Sequence, residues 1–456
     1  MKLQVCILAA GQGKRMRSAK PKVLHQIAHK ALVEHVLDTA HELSPNEAPI
    51  VIFGHAGEQL KSALSDRQIT WVEQAEQLGT GHAVHQCLPA IAQQGITLIL
   101  YGDVPLTPAS TLHELVQKAE NTGFGLLTVK MDDPTGYGRI VRNDNGEIQA
   151  IVEHKDASPE QLTICEVNTG IMAVNSADLH RWIPTLGNDN AQGEYYLTDC
   201  VEMAVGEGKQ VAGVIADNVF EVTGVNNRQQ LAELERAYQR AITDELMAQG
   251  VTLRDPARID VRGRLSCAED VEIDVNALFV GEVSLGRGVR IGPNCVISNA
   301  TIGDGVEVLA NCVIDSATIG NDARIGPFAR VRPDTALGND VHIGNFVEVK
   351  KSQISDGSKV NHLAYVGDSE IGRNVNVGAG TITCNYDGAF KHKTILEDDV
   401  FIGSDTQLVA PVRVGRGSTV GAGTTVTADV EADALVISRV KQKQISGWQR
   451  PKKPGK

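Results

Sequence analysis

A glycine-rich turn followed by basic residues is the first group in this chain that could do chemistry. The run LAAGQGKRM spans residues 8–16, and Lys20-Pro21-Lys22 follows shortly after it. Glycines let backbone N–H groups approach phosphates closely, and basic side chains neutralise the phosphate charge. The run is not a Walker A loop, because the GxxxxGK(S/T) pattern is absent. It is not a dinucleotide fingerprint either, because Met16 stands where GxGxxG needs its third glycine. The turn therefore indicates a phosphate site of another kind.

A carboxylate stands at the end of a strand candidate further along the chain. The run LILYGDVPL covers residues 98–106, so that Asp103 follows an apolar segment. Ligands of open α/β sheets bind at the carboxyl ends of the strands. An exposed aspartate beside bound phosphates is a natural Mg²⁺ ligand, with water and phosphate oxygens completing the octahedron. The residues alone leave open a second interpretation, in which Asp103 only caps the next turn.

A second group of polar residues lies in the other half of the chain. It consists of Arg332, Lys350, Lys351, His362, Tyr365 and Asn376. Basic groups of this kind can bind a sugar phosphate, and a histidine such as His362 can take a proton from an amine near neutral pH. Residues 384–393 interrupt the regular pattern around this group and are predicted to bulge outward as a loop. Loops on rigid scaffolds often carry function.

The element that must position this second group is a six-residue aliphatic repeat. Aliphatic residues fall at Ile319, Ile325, Val331, Leu337, Ile343 and Val349, and again at Ile402, Leu408, Val414, Val420 and Val426. A period of six fits neither a helix nor an amphipathic strand. It indicates a parallel β-helix, in which each hexapeptide forms one short face of a coil. The period does not determine the hand of the coil, although most parallel crossovers are right-handed.

The first half of the chain alternates between apolar runs and helical segments. The strand candidates are residues 5–10, 49–53, 96–101, 124–129 and 170–174, and residues 32–43 carry a helical period. This alternation predicts an α/β domain with a mainly parallel sheet. The NDNG run at residues 143–146 predicts a β-hairpin between residues 139–141 and 148–152.

A long amphipathic helix is predicted over residues 228–249, with Gly250 as its C-cap. It suggests three segments: a first domain over residues 1–227, a linker helix over 228–250, and a β-helix domain with a basic tail over 251–456. A length of 456 residues is too great for one core, which agrees with this division.

Composition narrows the classes of function. The net charge of −13 argues against nucleic-acid or membrane-surface binding. Eight cysteines form no CxxC pair and show no zinc spacing, so they predict reduced thiols in a cytoplasm. A strand candidate begins almost at the N-terminus, and no apolar run approaches the ~18 residues that span a bilayer. We therefore expect a cytoplasmic protein without a signal peptide or membrane insertion.

Taken together, the motifs resemble a known bacterial family. The glycine turn, the QAEQLGTGHA run at residues 74–83 and Tyr101-Gly102-Asp103 are similar to those of sugar-1-phosphate nucleotidyltransferases. Further matching motifs lie at residues 133–139, 151–155, 166–170, 190–196 and 224–228. Joined to a hexapeptide β-helix, this domain resembles the bifunctional N-acetylglucosamine-1-phosphate uridyltransferase / glucosamine-1-phosphate acetyltransferase family. The resemblance covers essentially the whole chain up to the basic tail, and it implies a left-handed coil.

The resemblance implies a uridylyl-transfer site in the first domain, using UTP and N-acetylglucosamine 1-phosphate. Arg15 and Lys22 would neutralise phosphate charge during the reaction, while Asp103 and Asn226 would be the protein ligands of Mg²⁺. The residues implied to bind UTP or the UDP-sugar are Leu8, Ala9, Ala10, Gly11, Lys22, Gln74, Gly79, Thr80, Tyr101, Gly102, Asp103, Gly138, Glu153, Asn168, Thr169 and Asn226.

The resemblance also implies an acetyl-transfer site on the β-helix, built between subunits of a homotrimer. His362 would be the general base for attack of the glucosamine amine on acetyl-CoA, and Asn385 would orient the amine. Glucosamine 1-phosphate would be bound by Arg332, Lys350, Tyr365, Asn376, Asn385 and Lys391. The coenzyme would contact Ala379, Asn385, Tyr386, Ser404, Ala422 and Arg439.

Three alternative functions compete with this interpretation. One is a nucleotidyltransferase whose β-helix only drives oligomerisation. The 384–393 loop and the polar residues around His362 argue against it. Another is a metal hydratase on the β-helix, but His342, His362 and His392 lack a short zinc-ligand spacing. The third is a pure assembly module, which the motifs of the first domain disfavour.

Overall fold

The computed structural model describes residues 2–54, 57–190, 192–438 and 440–451. The chain divides into two units, residues 1–238 and residues 239–456. No helix in the described ranges combines the length and the apolar character needed to cross a bilayer.

A mixed sheet forms the centre of the first unit. Its strands are β1 (Leu3–Leu8), β4 (Ile50–Phe53), β5 (Thr70–Glu73), β6 (Ile96–Tyr101), β7 (Phe124–Lys130), β8 (Arg139–Arg142), β9 (Ile148–Val152), β10 (Glu166–Asn175) and β11 (Val211–Ile215), and a separate small hairpin consists of β2 (Gln26–Ile27) and β3 (Lys30–Ala31). The main row has the order β11-β7-β10-β6-β1-β4-β5. β10 runs antiparallel to both of its neighbours in this row, and the other pairs are parallel. The β8–β9 hairpin adds to β10.

Helices cover both faces of this sheet. They are α1 (Leu32–Leu43), α2 (Gly57–Ala63), α3 (Thr80–Cys87), α4 (Ala109–Thr122), α5 (Ser176–Trp182) and α6 (Asp199–Gly206), followed by α7 (Arg228–Ala248), and short 3₁₀ turns lie at Lys14–Met16, Lys22–Leu24, Leu88–Ala90, Gln161–Thr163, Ile183–Thr185, Val219–Val222 and Pro256–Arg258. Helices α1 and α4 bury their apolar sides in one core, and α3, α5 and α6 bury theirs in the other. Side chains of β1 alternate between the two cores, as the period of two in a strand requires.

The predicted elements of the first unit are confirmed with small shifts at their ends. α1 and the strand at residues 96–101 have the predicted bounds, and α7 ends one residue earlier than predicted. Two strands of the main row, β5 and β11, were not predicted, and neither was the small β2–β3 hairpin. β5 has only four residues, with two apolar residues between two polar ones, and β11 carries Gly213, so neither gives a strong strand pattern.

The second unit is a parallel β-helix with three flat faces. One face is a ladder of Thr252–Leu253, Glu272–Ile273, Arg290–Ile291, Glu307–Val308, Arg324–Ile325, His342–Asn345, Lys359–His362, Asn376–Val377, Phe401–Ile402, Thr419–Val420 and Leu435–Val436. The other two faces contain Ile259–Cys267, Ala277–Leu285, Val296–Ser298, Thr301–Ile302, Val313–Asp315, Ala317–Ile319, Arg330–Val331, Thr335–Leu337, Glu348–Lys350, Gln353–Ile354, Tyr365–Gly367, Ser369–Ile371, Ile382–Cys384, Thr394–Leu396, Gln407–Val409, Val412–Val414 and Thr425–Val426. All eleven aliphatic positions of the predicted repeat are at most 4% exposed. The six-residue repeat is therefore confirmed as the inward-facing positions of the coil.

Each coil repeats after 17 or 18 residues, which is three hexapeptides. Val308 pairs with Ile325, and Ile325 pairs with Ile343. Val377, however, pairs with Ile402, which is 25 positions further on. The seven or eight additional residues form the loop predicted at residues 384–393.

Candidate active sites

The side chains of Lys22, Asp103 and Asn226 converge beside the carboxyl ends of β1 and β6. Asp103 follows β6, and its carbonyl oxygen accepts from the N–H of Val225 at 2.9 Å, which holds the Asn226 loop against it. Lys22 Nζ pairs with Asp103 Oδ2 and donates to Asn226 Oδ1 at 3.3 Å. The side chains of Lys22 and Asp103 are only 13% and 15% exposed. Two oxygens of the predicted metal site therefore already point at one cation.

The glycine turn shapes the space next to this group. Gly13 has φ +60°, and a Cβ atom at that position would lie 2.7 Å from Lys22 Cβ. Glycine is therefore required there for Lys22 to pass. A Cβ on Gly11 would meet nothing within 4 Å, because Gly11 borders a cavity of about 220 Å³. Arg15 is exposed on the 3₁₀ turn that follows.

Gln74 and Gly79 lie beyond the carboxyl end of β5, which is two strands along the sheet from β1. Gln74 follows β5, is 3% exposed, and donates from Nε2 to Gly79 O at 3.1 Å. Thr80 Oγ1 accepts from the N–H of Leu197 at 3.2 Å. Gly79 has φ +109°, and a Cβ there would lie 2.6 Å from the carbonyl oxygen of Tyr195. The 74–83 and 190–196 motifs are thus locked together by backbone contacts.

A second cavity in the first unit has a volume of about 240 Å³. It is lined by Gly136, Glu153, His154, Lys155, Asp156, Asn190, Gln192 and Tyr196. Burial, with a contribution from Asp156, raises the pKa of Glu153. A Cβ on Gly138 would lie 3.3 Å from Glu153 Oε1, so Gly138 leaves the carboxylate room. The cavity combines a hydrogen-bonding carboxylate with amide groups, as a sugar site requires.

The 133–139 and 166–170 motifs support this cavity from behind. Arg139 is 1% exposed and donates to Pro134 O at 2.7 Å, which fixes the loop that carries Gly138. Asn168 Oδ1 accepts from the N–H of Gly170, and Thr169 Oγ1 donates to Leu127 O at 2.7 Å. Asn168 therefore keeps its amide nitrogen for other partners. Burial raises the pKa of Tyr101, whose hydroxyl group lies against Gly170.

Three cations gather on the second unit. Lys391 and Arg332 lower the pKa of Lys350, because like charges disfavour its protonated form. Arg332 Nη1 also pairs with Glu348 Oε1 at 2.7 Å. The structure thus brings Arg332 and Lys350 together with the loop residue Lys391. These three positive charges outnumber the two carboxylates nearby, those of Glu348 and Asp368, which favours an anionic ligand.

His362 is exposed, and its ring is held by Asn345. Asn345 Oδ1 lies 2.9 Å from His362 Nδ1. The two residues also pair in register on neighbouring strands. An amide oxygen only accepts, so with Oδ1 in this position Nδ1 carries the proton and Nε2 keeps its lone pair. A neutral imidazole whose Nε2 lone pair is available can act as a general base.

Asn385 lies at the base of the loop and is 7% exposed. Its Nδ2 donates to Asp368 Oδ2 at 2.6 Å, which leaves Oδ1 to accept from a donor such as an amine. A side chain on Gly367 would collide with both the Tyr365 hydroxyl group and the Asn385 amide, so these two groups meet there.

The loop itself is internally ordered. Asp387 accepts from the backbone N–H groups of Ala389 and Phe390 and pairs with His392 Nε2 at 2.7 Å. These hydrogen bonds lower the pKa of Asp387. Tyr386 forms an antiparallel bridge with Lys391 and is 60% exposed.

Three predicted coenzyme contacts stack along one corner of the coil. The N–H of Asp405 donates to Ala379 O, and the N–H of Gly423 donates to Ser404 O. Ala422 packs against Gly403. Asn376 pairs with Lys359 and Phe401, on a different face of the coil from Arg332. No described contact joins Asn376 to the three cations Arg332, Lys350 and Lys391. Arg439 lies outside the described residues.

Two residues of the second site, Asn345 and Asp368, were not predicted from the sequence. Asn345 and Asp368 each lie 17 residues before the residue they hold, His362 and Asn385. This spacing is one coil of the β-helix. The six-residue repeat could have identified them. A residue about three repeats before a candidate residue lies directly beneath it in the neighbouring coil.

The described residues contain no group of three or more potential metal ligands of the His, Cys, Asp and Glu types. His342 lies 3.5 Å from Asp340, and His392 pairs with Asp387. The histidines of the β-helix thus have separate partners, which gives no support to the metal-hydratase alternative.

Family models match both units. The MobA-like NTP transferase domain matches residues 5–158, and the bacterial transferase hexapeptide (six repeats) matches residues 393–428. The GMPPB C-terminal domain matches residues 261–345 and 321–410. With the observed strands, these matches confirm the predicted fold class, and they are consistent with a left-handed β-helix.

Curated relatives match over nearly the whole chain. A bifunctional protein GlmU from Nitrosospira multiformis is 57% identical over 455 residues, covering 99% of both chains. Proteins of the same name from Marinobacter nauticus and Cupriavidus pinatubonensis are each 58% identical and cover 99% and 100% of both chains, respectively. With a nucleotidyltransferase unit followed by a hexapeptide β-helix, and with this identity over its full length, the chain belongs to the bifunctional GlmU family.

Proposed function

We propose that this enzyme makes UDP-N-acetylglucosamine in two steps at separate sites. Acetyl-CoA first acetylates the amine of glucosamine 1-phosphate, and UTP then transfers its uridylyl group to N-acetylglucosamine 1-phosphate with release of pyrophosphate. The observation that carries the proposal is that each unit holds its own polar centre, around Asp103 in one and around His362 in the other. We assign the first step to residues 251–456, the second to residues 1–227, and the connection to residues 228–250.

In uridylyl transfer the sugar phosphate is already a nucleophile, so the site needs position and charge rather than a general base. The backbone of residues 8–11 with Gln74, Gly79 and Thr80 holds the nucleotide. Lys22 and Arg15 stabilise charge on the phosphates. Tyr101, Gly102 and Gly138 line the path to the sugar, which binds Glu153, Asn168 and Thr169.

Asp103 and Asn226 fit a Mg²⁺ ion, because their oxygens converge on one cation, the ammonium group of Lys22. Two protein oxygens suffice where phosphates and water complete the coordination. Bound Mg²⁺ supplies positive charge to the phosphates. Lys22 Nζ contacts both of these oxygens, and it would be free to bind a phosphate if Mg²⁺ took its place.

In acetyl transfer the amine nitrogen attacks the thioester carbonyl carbon, His362 Nε2 takes the proton of the amine, and the coenzyme thiolate leaves. Asn385 Oδ1 orients the amine, since its Nδ2 is committed to Asp368. Arg332, Lys350 and Lys391 bind the phosphate, with Tyr365 and Asn376 on the sugar. The coenzyme contacts Tyr386 and the corner of Ala379, Ser404 and Ala422, together with Arg439.

The same unit assembles into a homotrimer. Support comes from an apolar ladder of Phe328, Phe346 and Leu363, which are 49%, 55% and 62% exposed. All three have positive φ, and the two phenyl rings stack at 5.2 Å. Positive φ strains bulky residues, and the polar Asn and Asp occupy most other positive-φ corners of the coil. A second copy of the chain covers this ladder.

A product assay tests the proposal. The enzyme is incubated with UTP, glucosamine 1-phosphate, acetyl-CoA and Mg²⁺, and mass spectrometry follows the products. UDP-N-acetylglucosamine should form only when all four are present. Formation without acetyl-CoA, or its absence from the complete mixture, contradicts the proposal.

A fragment of residues 1–238 should retain uridylyl transfer, because this unit has its own core. A fragment of residues 1–227 should be less stable by at least about 2 kcal/mol, because it lacks Leu234, which is fully buried against Met16 and Ile27. Urea unfolding and pyrophosphate release measure the two effects. A folded 1–238 fragment without pyrophosphate release means that the uridylyl site depends on the β-helix.

A further inference from the structure

His82 belongs to the 74–83 motif, but the reaction described above gives it no task. It lies in α3, half-buried, with a side-chain amide on each ring nitrogen. Gln74 Nε2 lies 3.2 Å from His82 Nδ1, and Gln86 Nε2 lies 3.1 Å from His82 Nε2. Gln86, His82 and Gln74 therefore form a row of contacting side chains, which ends at Gln74, a predicted nucleotide-binding residue.

The carbonyl of Gly79 fixes the orientation of the Gln74 amide. Gln74 Nε2 lies 3.1 Å from Gly79 O, and a carbonyl oxygen only accepts. If the Gln74 amide were turned over, its oxygen would face the carbonyl oxygen of Gly79, and neither atom could donate. One N–H of Gln74 therefore donates to Gly79 O, and the other donates to His82 Nδ1. With both N–H groups committed, Oε1 is the amide atom left for a ligand.

The hydrogen bond from Gln74 sets the tautomer of His82. Since Nδ1 accepts from Gln74, the neutral ring carries its proton on Nε2. For Nε2–H to donate, the Gln86 amide must be turned over, so that its oxygen rather than its nitrogen faces the ring. Gln86 lies one helical turn beyond His82 on α3, so the helix positions both residues. At 3% exposure, Gln74 would lose stabilisation if one of its N–H groups were left unpaired.

We propose that His82, supported by Gln86, is a positioning residue that makes the uridylyl site selective for uracil over cytosine. The inference rests on the proposed function, in which Gln74 contacts the base of UTP. Uracil presents an N3–H donor where cytosine presents an N3 acceptor. Gln74 Oε1 accepts from the first and repels the second. A freely turning amide would offer its N–H to cytosine and lose this discrimination.

The experiment compares UTP and CTP as substrates of the full-length enzyme by pyrophosphate release. His82→Leu removes the acceptor, so the KM for UTP should rise with little change in kcat, since the base is remote from the reacting phosphorus. The preference for UTP over CTP in kcat/KM should fall roughly tenfold. His82→Asn puts an amide oxygen close to the position of Nδ1 and should keep most of the preference.

A structural role for His82 would lower activity with both nucleotides equally, so an unchanged UTP/CTP ratio in His82→Leu overturns the inference. If that variant does not fold, Gln86→Leu decides. Its preference should fall in the same direction by a smaller factor, and an unchanged ratio counts against the inference. Wild-type enzyme that turns over no UTP contradicts the proposed function instead, which separates the two failures.

Discussion

Asp103→Asn is expected to lower uridylyl transfer by about 10²-fold or more while acetyl transfer stays near the wild-type rate. The substitution keeps the size of the side chain but removes the charge that pairs with Lys22 and that would bind Mg²⁺. A lost metal ligand leaves phosphate charge uncompensated, which costs several kcal/mol in the transition state. Pyrophosphate release at increasing Mg²⁺ concentrations measures the effect, and additional Mg²⁺ should recover part of the activity.

Two controls make this result specific to the metal site. Asp144→Asn makes the same change of charge on the exposed turn of the β8–β9 hairpin and should leave both activities unchanged. Acetyl transfer, assayed in the same Asp103→Asn preparation, reports on the second unit. Loss of both activities indicates misfolding, and normal uridylyl transfer removes Asp103 from the site.

The sequence predicted most of the first unit because its strands are strongly apolar and its helices periodic. It placed Lys22 and Asp103 in the same site only through motifs. Their direct pairing joins residues 81 positions apart and depends on how β1 and β6 lie side by side. Strand β5, which carries Gln74 at its end, was missed because an edge strand of four residues gives little periodicity.

The second unit was more predictable, since its period gives both fold and register. Every aliphatic residue of the repeat is buried, and the interruption of the repeat located the loop. The support of His362 by Asn345 and of Asn385 by Asp368 follows from the 17-residue coil, but only after the register is known. Which side-chain atom faces which partner is a matter of rotamers, and the period does not encode it.

His362→Ala should lower acetyl transfer by roughly 10²- to 10⁴-fold, the usual contribution of a positioned general base. The acceptor amine is mostly protonated at neutral pH and must lose a proton before or during its attack. The loss should therefore appear in kcat, and the KM for glucosamine 1-phosphate should change little if Arg332, Lys350 and Lys391 bind the phosphate as proposed. Thiol release from acetyl-CoA measures acetyl transfer, and uridylyl transfer should not change, because its residues belong to the other unit.

Variants of neighbouring residues separate the base from its surroundings. His342→Ala makes the same substitution on the same face of the coil, where His342 pairs with Asp340, and should leave acetyl transfer unchanged. Asn345→Ala should cause a smaller loss than His362→Ala, because the ring remains but is no longer held by its Nδ1–H. If His362→Ala retains acetyl transfer within about twofold of wild type, well below the range for a general base, then another group or water takes the proton. His362 would then be an ordinary exposed side chain, although the cation group and Asn385 would still mark a sugar-phosphate site.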